Sequence, residues 1–128
     1  MRRMLLIIIS AIAAFALAAC TGNKVEESTS KKFIPKAEEI VSLLNEEKYK
    51  EVHEKFDSKM KAGLPEEKMK DLTPVIEKAG TFDKIEKKSI EEKDGLYTVI
   101  LVAKYSKEQR IFIITYNDKE EIAGLFIK

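Results

Sequence analysis

The 128-residue chain has one cysteine and one histidine, so little of it can do nucleophilic or soft-metal chemistry. Nucleophilic catalysis needs a nucleophile and a base held together, usually with a third group to orient the base. Cys20 sits where apolar sequence stops and polar sequence begins, a place that suits covalent modification. His53 lies one turn after Tyr49 at the margin of an apolar helical face, which suits a half-buried imidazole better than a catalytic base. A zinc site needs three or four nitrogen or sulfur ligands, more than one histidine supplies. Asn117-Asp118-Lys119-Glu120-Glu121 lacks the repeating acids and the loop glycine of a calcium loop. The five glycines are scattered, with no phosphate-cradling loop among them. Nothing singles out a glycosidase-like pair among the 22 acidic residues. These residues point to a protein that is not an enzyme and that carries no cofactor and no metal.

The aromatic residues offer one binding hypothesis. Tyr49, Phe56 and Met60 recur on one helical face, and Tyr97, Tyr105 and Tyr116 lie in β-prone runs. Facing one another, the six would line a pocket for a small apolar ligand. Ordinary core packing is the plainer account of the same spacing.

Position explains the lone thiol. Met1-Arg2-Arg3 is a short positive start, and Met4 to Ala19 is apolar or small except for Ser10. Sixteen helical residues reach about 24 Å, short of the ~30 Å hydrocarbon core, so an export leader is favoured over a permanent span. The leader ends Leu17-Ala18-Ala19-Cys20, which resembles the lipobox of bacterial lipoproteins. The resemblance implies lipidation of Cys20, cleavage after Ala19 (residues 1–19 being a signal peptide), and anchorage on the outer face of the membrane. Two or more acyl chains anchor stably where one does not. Thr21 follows the cysteine, so the inner-membrane retention aspartate is absent there; in a double-membrane cell the expected address is the outer membrane.

Loss of the leader removes Arg2 and Arg3 and turns a balance of 23 basic and 22 acidic residues into 21 and 22. Near-neutrality argues against nucleic acid as a partner. Residues 20–32 form the expected lipidated cysteine and flexible tether, because TGNKVEESTSKK has no apolar periodicity. Residues 33–128 form one domain.

That domain reads as helices, then strands. Ala37, Ile40, Val41 and Leu44 form a stripe behind Pro35 in a first helical turn. A second helix is expected over residues 46–61, with Glu46/Lys50, Glu51/Lys55 and Asp57/Lys61 paired four apart. A third begins near Pro65 and breaks at Pro74, with Thr73 capping a last segment that ends at Ala79-Gly80. Strands follow at 81–92, 96–105, 110–116 and 121–128, the first two joined by a hairpin turn through Asp94-Gly95. Three tight connections predict an antiparallel meander. The expected fold is α+β, three N-terminal helices packed on a four-stranded antiparallel meander sheet. The central strands are apolar at both alternating positions, so both faces should be covered: one by the helices, the other by strand curvature, a second copy or a partner.

Helices followed by a four-stranded meander resemble the cystatin-like α+β cone of the nuclear transport factor two superfamily. More closely, Tyr49, the run Phe56-Asp57-Ser58-Lys59-Met60-Lys61, Leu64-Pro65-Glu66-Glu67, Gly80 with Phe82, and Ile122-Ala123-Gly124-Leu125 are similar to the bacterial domain of unknown function 3887 family. The likeness spans residues 34–127. The chain departs from that pattern in the third helix, where Thr73-Pro74 replace an expected bulky aromatic. The resemblance implies an accessory envelope module and no common activity, and fold alone licenses none. The expected function is a membrane-anchored, non-catalytic domain for protein interaction or self-association through the sheet face. The alternative is a small-ligand pocket protein of the envelope.

Overall fold

The computed structural model describes residues 26–128. Cys20, the leader and the start of the expected tether lie outside the described residues. Helices come first: α1 (Glu27–Asn45), α2 (Tyr49–Glu54), α3 (Ser58–Gly63), α4 (Glu66–Met69) and α5 (Leu72–Glu77). Then come β1 (Phe82–Lys93), β2 (Leu96–Tyr105), β3 (Gln109–Tyr116) and β4 (Ile122–Ile127), an antiparallel sheet in the order β1-β2-β3-β4. The α+β class and the meander match the sequence reading. The helical half does not: five segments stand among the described residues where three helices were expected.

α1 starts at Glu27, so residues 27–32 are helical rather than tether, and Pro35 lies inside the helix instead of in its first turn. Proline removes one hydrogen bond there, and contacts with the sheet offset the loss. Phe33 is buried and stacks on Tyr97 at 4.7 Å, while Lys32 and Lys36 reach Glu120 at 3.1 and 3.4 Å. Phe33, Ala37, Ile40, Val41 and Leu44 then form the stripe that covers the sheet.

The second expected helix breaks in the middle. Asp57 accepts a hydrogen bond from the Met60 amide at 2.8 Å and so caps α3, while Phe56 makes a parallel bridge to Ile122. Around that bridge the Ile122 amide donates to Lys55 and the Asp57 amide to Ile122, both at 2.8 Å. A short polar side chain that can cap a new helix favours such a break. Asp57 is therefore a cap rather than the partner of Lys61, and none of the three expected ion pairs is among those formed by the described residues. The third expected helix breaks at Lys70-Asp71, ahead of Pro74. Pro74 falls in the first turn of α5, where its missing amide has no helical partner to lose.

β1 shows how register is kept. Ile85 and Ile90 both turn toward the helices although five residues apart, which strict alternation forbids. A bulge between Ile85 and Lys87 supplies the extra residue. Asp94 and Gly95, with φ of 53° and 79°, make the tight turn to β2.

The core lies between α1 and one face of the sheet. Val99, Leu101, Ala103, Phe112 and Ile114 point into it and are fully buried. Their outward neighbours Ile100, Val102, Ile111 and Ile113 are partly exposed. Coverage on both faces was expected; among the described residues the helices cover only the inner one.

Candidate functional site

Two regions offer binding surface. The first is a cleft of about 320 Å³ where the end of α1, the start of α2, α5 and the beginning of β1 meet the end of β2. Its walls include Leu44, Ile76, Tyr49, Phe82 and Tyr105, and its polar groups come from Asn45, Glu47, Thr73, Glu77 and Thr81. Each is there for a local reason. α1 ends in a left-handed turn at Glu47, φ 60°, with the Lys48 amide donating to Leu43 at 2.9 Å and the Glu47 amide to Leu44 at 3.1 Å. That turn sets Asn45 and Glu47 on the rim and starts α2 at Tyr49. Three residues past the end of α5 stands Gly80, φ 98°, where an added Cβ would lie 2.1 Å from Ser106 Oγ. Only glycine allows the β2–β3 turn to approach so closely.

Hydrogen bonds fix the two tyrosines. Tyr105 donates its hydroxyl to Asn45 Oδ1, and the Tyr49 hydroxyl bonds Thr73 Oγ1. Burial pushes the Tyr105 phenol up to about 12, outweighing the opposite pull of the bond to Asn45 and of Arg110, so it remains neutral near pH 7.

The six residues named from sequence divide. Tyr49 and Tyr105 meet in this cleft. Phe56 is buried beside β4, and Met60 packs on the edge of the core; neither lines the cleft. Tyr97 stacks on Phe33, whose ring also lies 5.2 Å from that of Tyr116. Tyr116 opens instead onto a separate niche of about 70 Å³ with Lys36, Glu39, Lys55 and Glu120. Its buried hydroxyl has no hydrogen-bond partner, and burial, with Glu39 adding to it, holds the phenol well above its usual range. The pocket of six is thus corrected to a pocket of two, because the bridge at Phe56 turns the rest of that helical face toward β4. Glu47, Thr73, Glu77 and Phe82 were missed. They lie at element ends, where periodicity carries no signal; only the Gly80-Phe82 pair in the family pattern hinted at this corner.

His53 is half-buried, 5.4 Å from the Phe56 ring, with Nε2 unpartnered. Among the described residues no group of three His, Cys, Asp or Glu side chains could hold a metal ion, and no helix is long and apolar enough to cross a membrane.

The second region is the outer sheet face. Cross-strand register aligns Ser89, Ile100, Ile113 and Phe126 in one row, with Lys87, Val102 and Ile111 on one side of it. On the other side lie Glu91, Thr98, Thr115 and Gly124, where the two threonine hydroxyls bond at 3.1 Å. Phe126 is 65% exposed. The apolar side chains form one contiguous patch.

No curated protein and no solved structure matches the chain. Residues 37–125 match the family described as "Protein of unknown function (DUF3887)". That span covers most of the chain, takes in the cleft, and reaches from β1 into β4, stopping one residue short of Phe126, so the chain belongs to this family.

Proposed function

We propose that this protein is a non-catalytic, lipid-anchored domain of the bacterial cell envelope that associates with a second copy of itself through the outer face of its sheet. The observation behind this reading is the apolar strip Ile100-Ile113-Phe126 beside Ser89, which the described residues leave partly exposed at the isoleucines and mostly exposed at Phe126. Large contiguous apolar patches rimmed by polar residues mark interaction surfaces. Its rim is self-complementary. Lys87 and Glu91 flank Ser89 on the outer side of β1 and are both exposed. A two-fold axis along the central row lays β1 on β1 and sets Lys87 of one copy against Glu91 of the other, with the two Phe126 rings close together. Such an isologous pairing closes at two.

Anchorage rests on the leader and its ending at Cys20. Cys20→Ser should abolish fatty-acid labelling and release the protein from membranes; unchanged retention would refute the anchor. For pairing, sedimentation of the purified full chain in neutral detergent should give a dimer that Phe126→Glu converts to a monomer. A native chain that sediments as a monomer overturns self-association, and a Phe126→Glu dimer overturns pairing through this face.

A second reading, capture of a small ligand, is favoured by the cleft between Tyr49 and Tyr105, whose volume is at the low end of the roughly 300–1,000 Å³ of small-molecule sites. The two readings use opposite sides of the sheet and are compatible.

A further inference from the structure

The cleft has a charge character that its volume alone does not reveal. Three aromatic rings stand in its walls: Tyr49, Phe82 and Tyr105. Two carboxylates, Glu47 and Glu77, lie on its rim, and no lysine or arginine lines it. In a chain with 23 basic residues this separation is selective. Of the bases nearby, Lys78 follows Glu77 and Lys107 stands beside Gly80, but neither side chain lines the cleft, and two others are engaged elsewhere. Lys48 pairs with Glu46 at 3.1 Å; Arg110 holds Glu108 at 2.7 Å and donates to the Val75 carbonyl at 2.9 Å. Among the described residues neither Glu47 nor Glu77 takes part in an ion pair.

The polar atoms inside offer acceptors beside donors, since the Asn45 amide nitrogen and one hydroxyl proton of the Tyr49–Thr73 pair stay unused among the described bonds. Tyr105 spends its one proton on Asn45, which leaves its oxygen lone pairs free. The Tyr49 and Thr73 hydroxyls are tied to each other. Aromatic faces attract cations through their quadrupole, and unpaired carboxylates do so through charge. An anion entering here would meet two like charges and no lysine or arginine in the lining. A neutral apolar molecule would use the rings and leave the acids idle.

We infer that the cleft binds a small organic cation: an ammonium group held between Glu47, Glu77 and the aromatic rings, carried on a short apolar body that packs against Leu44 and Ile76. The inference rests on the small-ligand reading and narrows it to one chemical class. Glu47 adds a second indication. It occupies a left-handed position that glycine fills most easily, so local stability does not account for the glutamate there.

Three probes of one shape test the idea: 2-phenylethylammonium, 2-phenylethanol and phenylacetate, each titrated into the purified full chain in neutral detergent. The amide resonances of Gly80 and Thr81, both in the cleft wall, report occupancy. The ammonium should shift them saturably and bind roughly tenfold more tightly than the alcohol, with no saturable shift from the carboxylate. In the Glu47→Gln, Glu77→Gln double variant the advantage of ammonium over alcohol should fall to roughly twofold or less, while the alcohol binds as before, which shows the cleft intact. Equal binding of all three probes by the native chain, or an undiminished preference in the double variant, overturns the cation assignment and leaves the small-ligand reading standing. No saturable shift with any probe overturns both.

Discussion

β2 presents almost the same side chains to its two faces, and the faces end differently. Val99, Leu101 and Ala103 point inward and are fully buried; Ile100 and Val102 point outward and are partly exposed. β3 repeats the contrast with Phe112 and Ile114 against Ile111 and Ile113. Strand composition therefore does not determine which face is covered. The apolar stripe of α1 does, because it can lie on one side only. The same hydrophobicity acts as core on one face and remains available for association on the other.

The most forceful test of that contrast is a pair of truncations one residue apart. Leu101→Ala should cost about 2–5 kcal/mol, since it removes buried methyl groups and leaves a cavity. Ile100→Ala should cost under about 1 kcal/mol in dilute, monomeric protein. Urea denaturation of both variants decides, and equal losses would erase the difference between the faces.

Alkaline pH provides the next test, because both phenols with raised values lie on the inner face. A folded-state pKa above the unfolded one contributes stability that is complete below the unfolded value and is lost as pH rises. Tyr105, lifted from 10.0 to about 12, should therefore make urea resistance decline across that interval, with Tyr116 acting in the same direction. Tyr105→Phe should flatten part of the decline; an unaltered pH profile would contradict the assignment.

A smaller effect is expected at Thr73. Thr73→Val leaves the Tyr49 hydroxyl without its partner and should cost about 1 kcal/mol, read as a lowered urea midpoint. No loss would mean that solvent satisfies Tyr49 equally well.

The smallest change has the opposite sign. Glu47→Gly should stabilise by about 0.5–1 kcal/mol, the relief of a left-handed residue less the added freedom of the unfolded chain. Destabilisation by this variant would show that the Glu47 side chain supports the fold.

The strands were legible to within about a residue at most ends, because β-branched runs are bounded by turn chemistry such as Asp94-Gly95. The helices were less so. α1 begins six residues before Phe33, held by that ring against Tyr97 and by Lys32 and Lys36 against Glu120, partners more than sixty residues away in the chain. Asp57, four residues before Lys61, reads as a salt-bridge partner, and only the placing of Phe56 beside Ile122 makes it a cap. The cleft was half visible: Tyr49 and Tyr105 stand out as inward aromatics, whereas Glu47 and Glu77 resemble any solvated acid until tertiary structure brings them to one rim.

The bulged edge of β1 limits what crowding can do to these molecules. Edge-to-edge addition of strands has no natural stopping point and builds ribbons, but β1 offers an irregular ladder studded with Lys84, Lys87, Lys88 and Lys93. The bulges break the regular row of backbone groups that a newcomer would have to match, and the charged side chains along it would have to be crowded against a second strand. Growth along that border is disfavoured even at high local density, and molecules packed side by side stay discrete instead of polymerising.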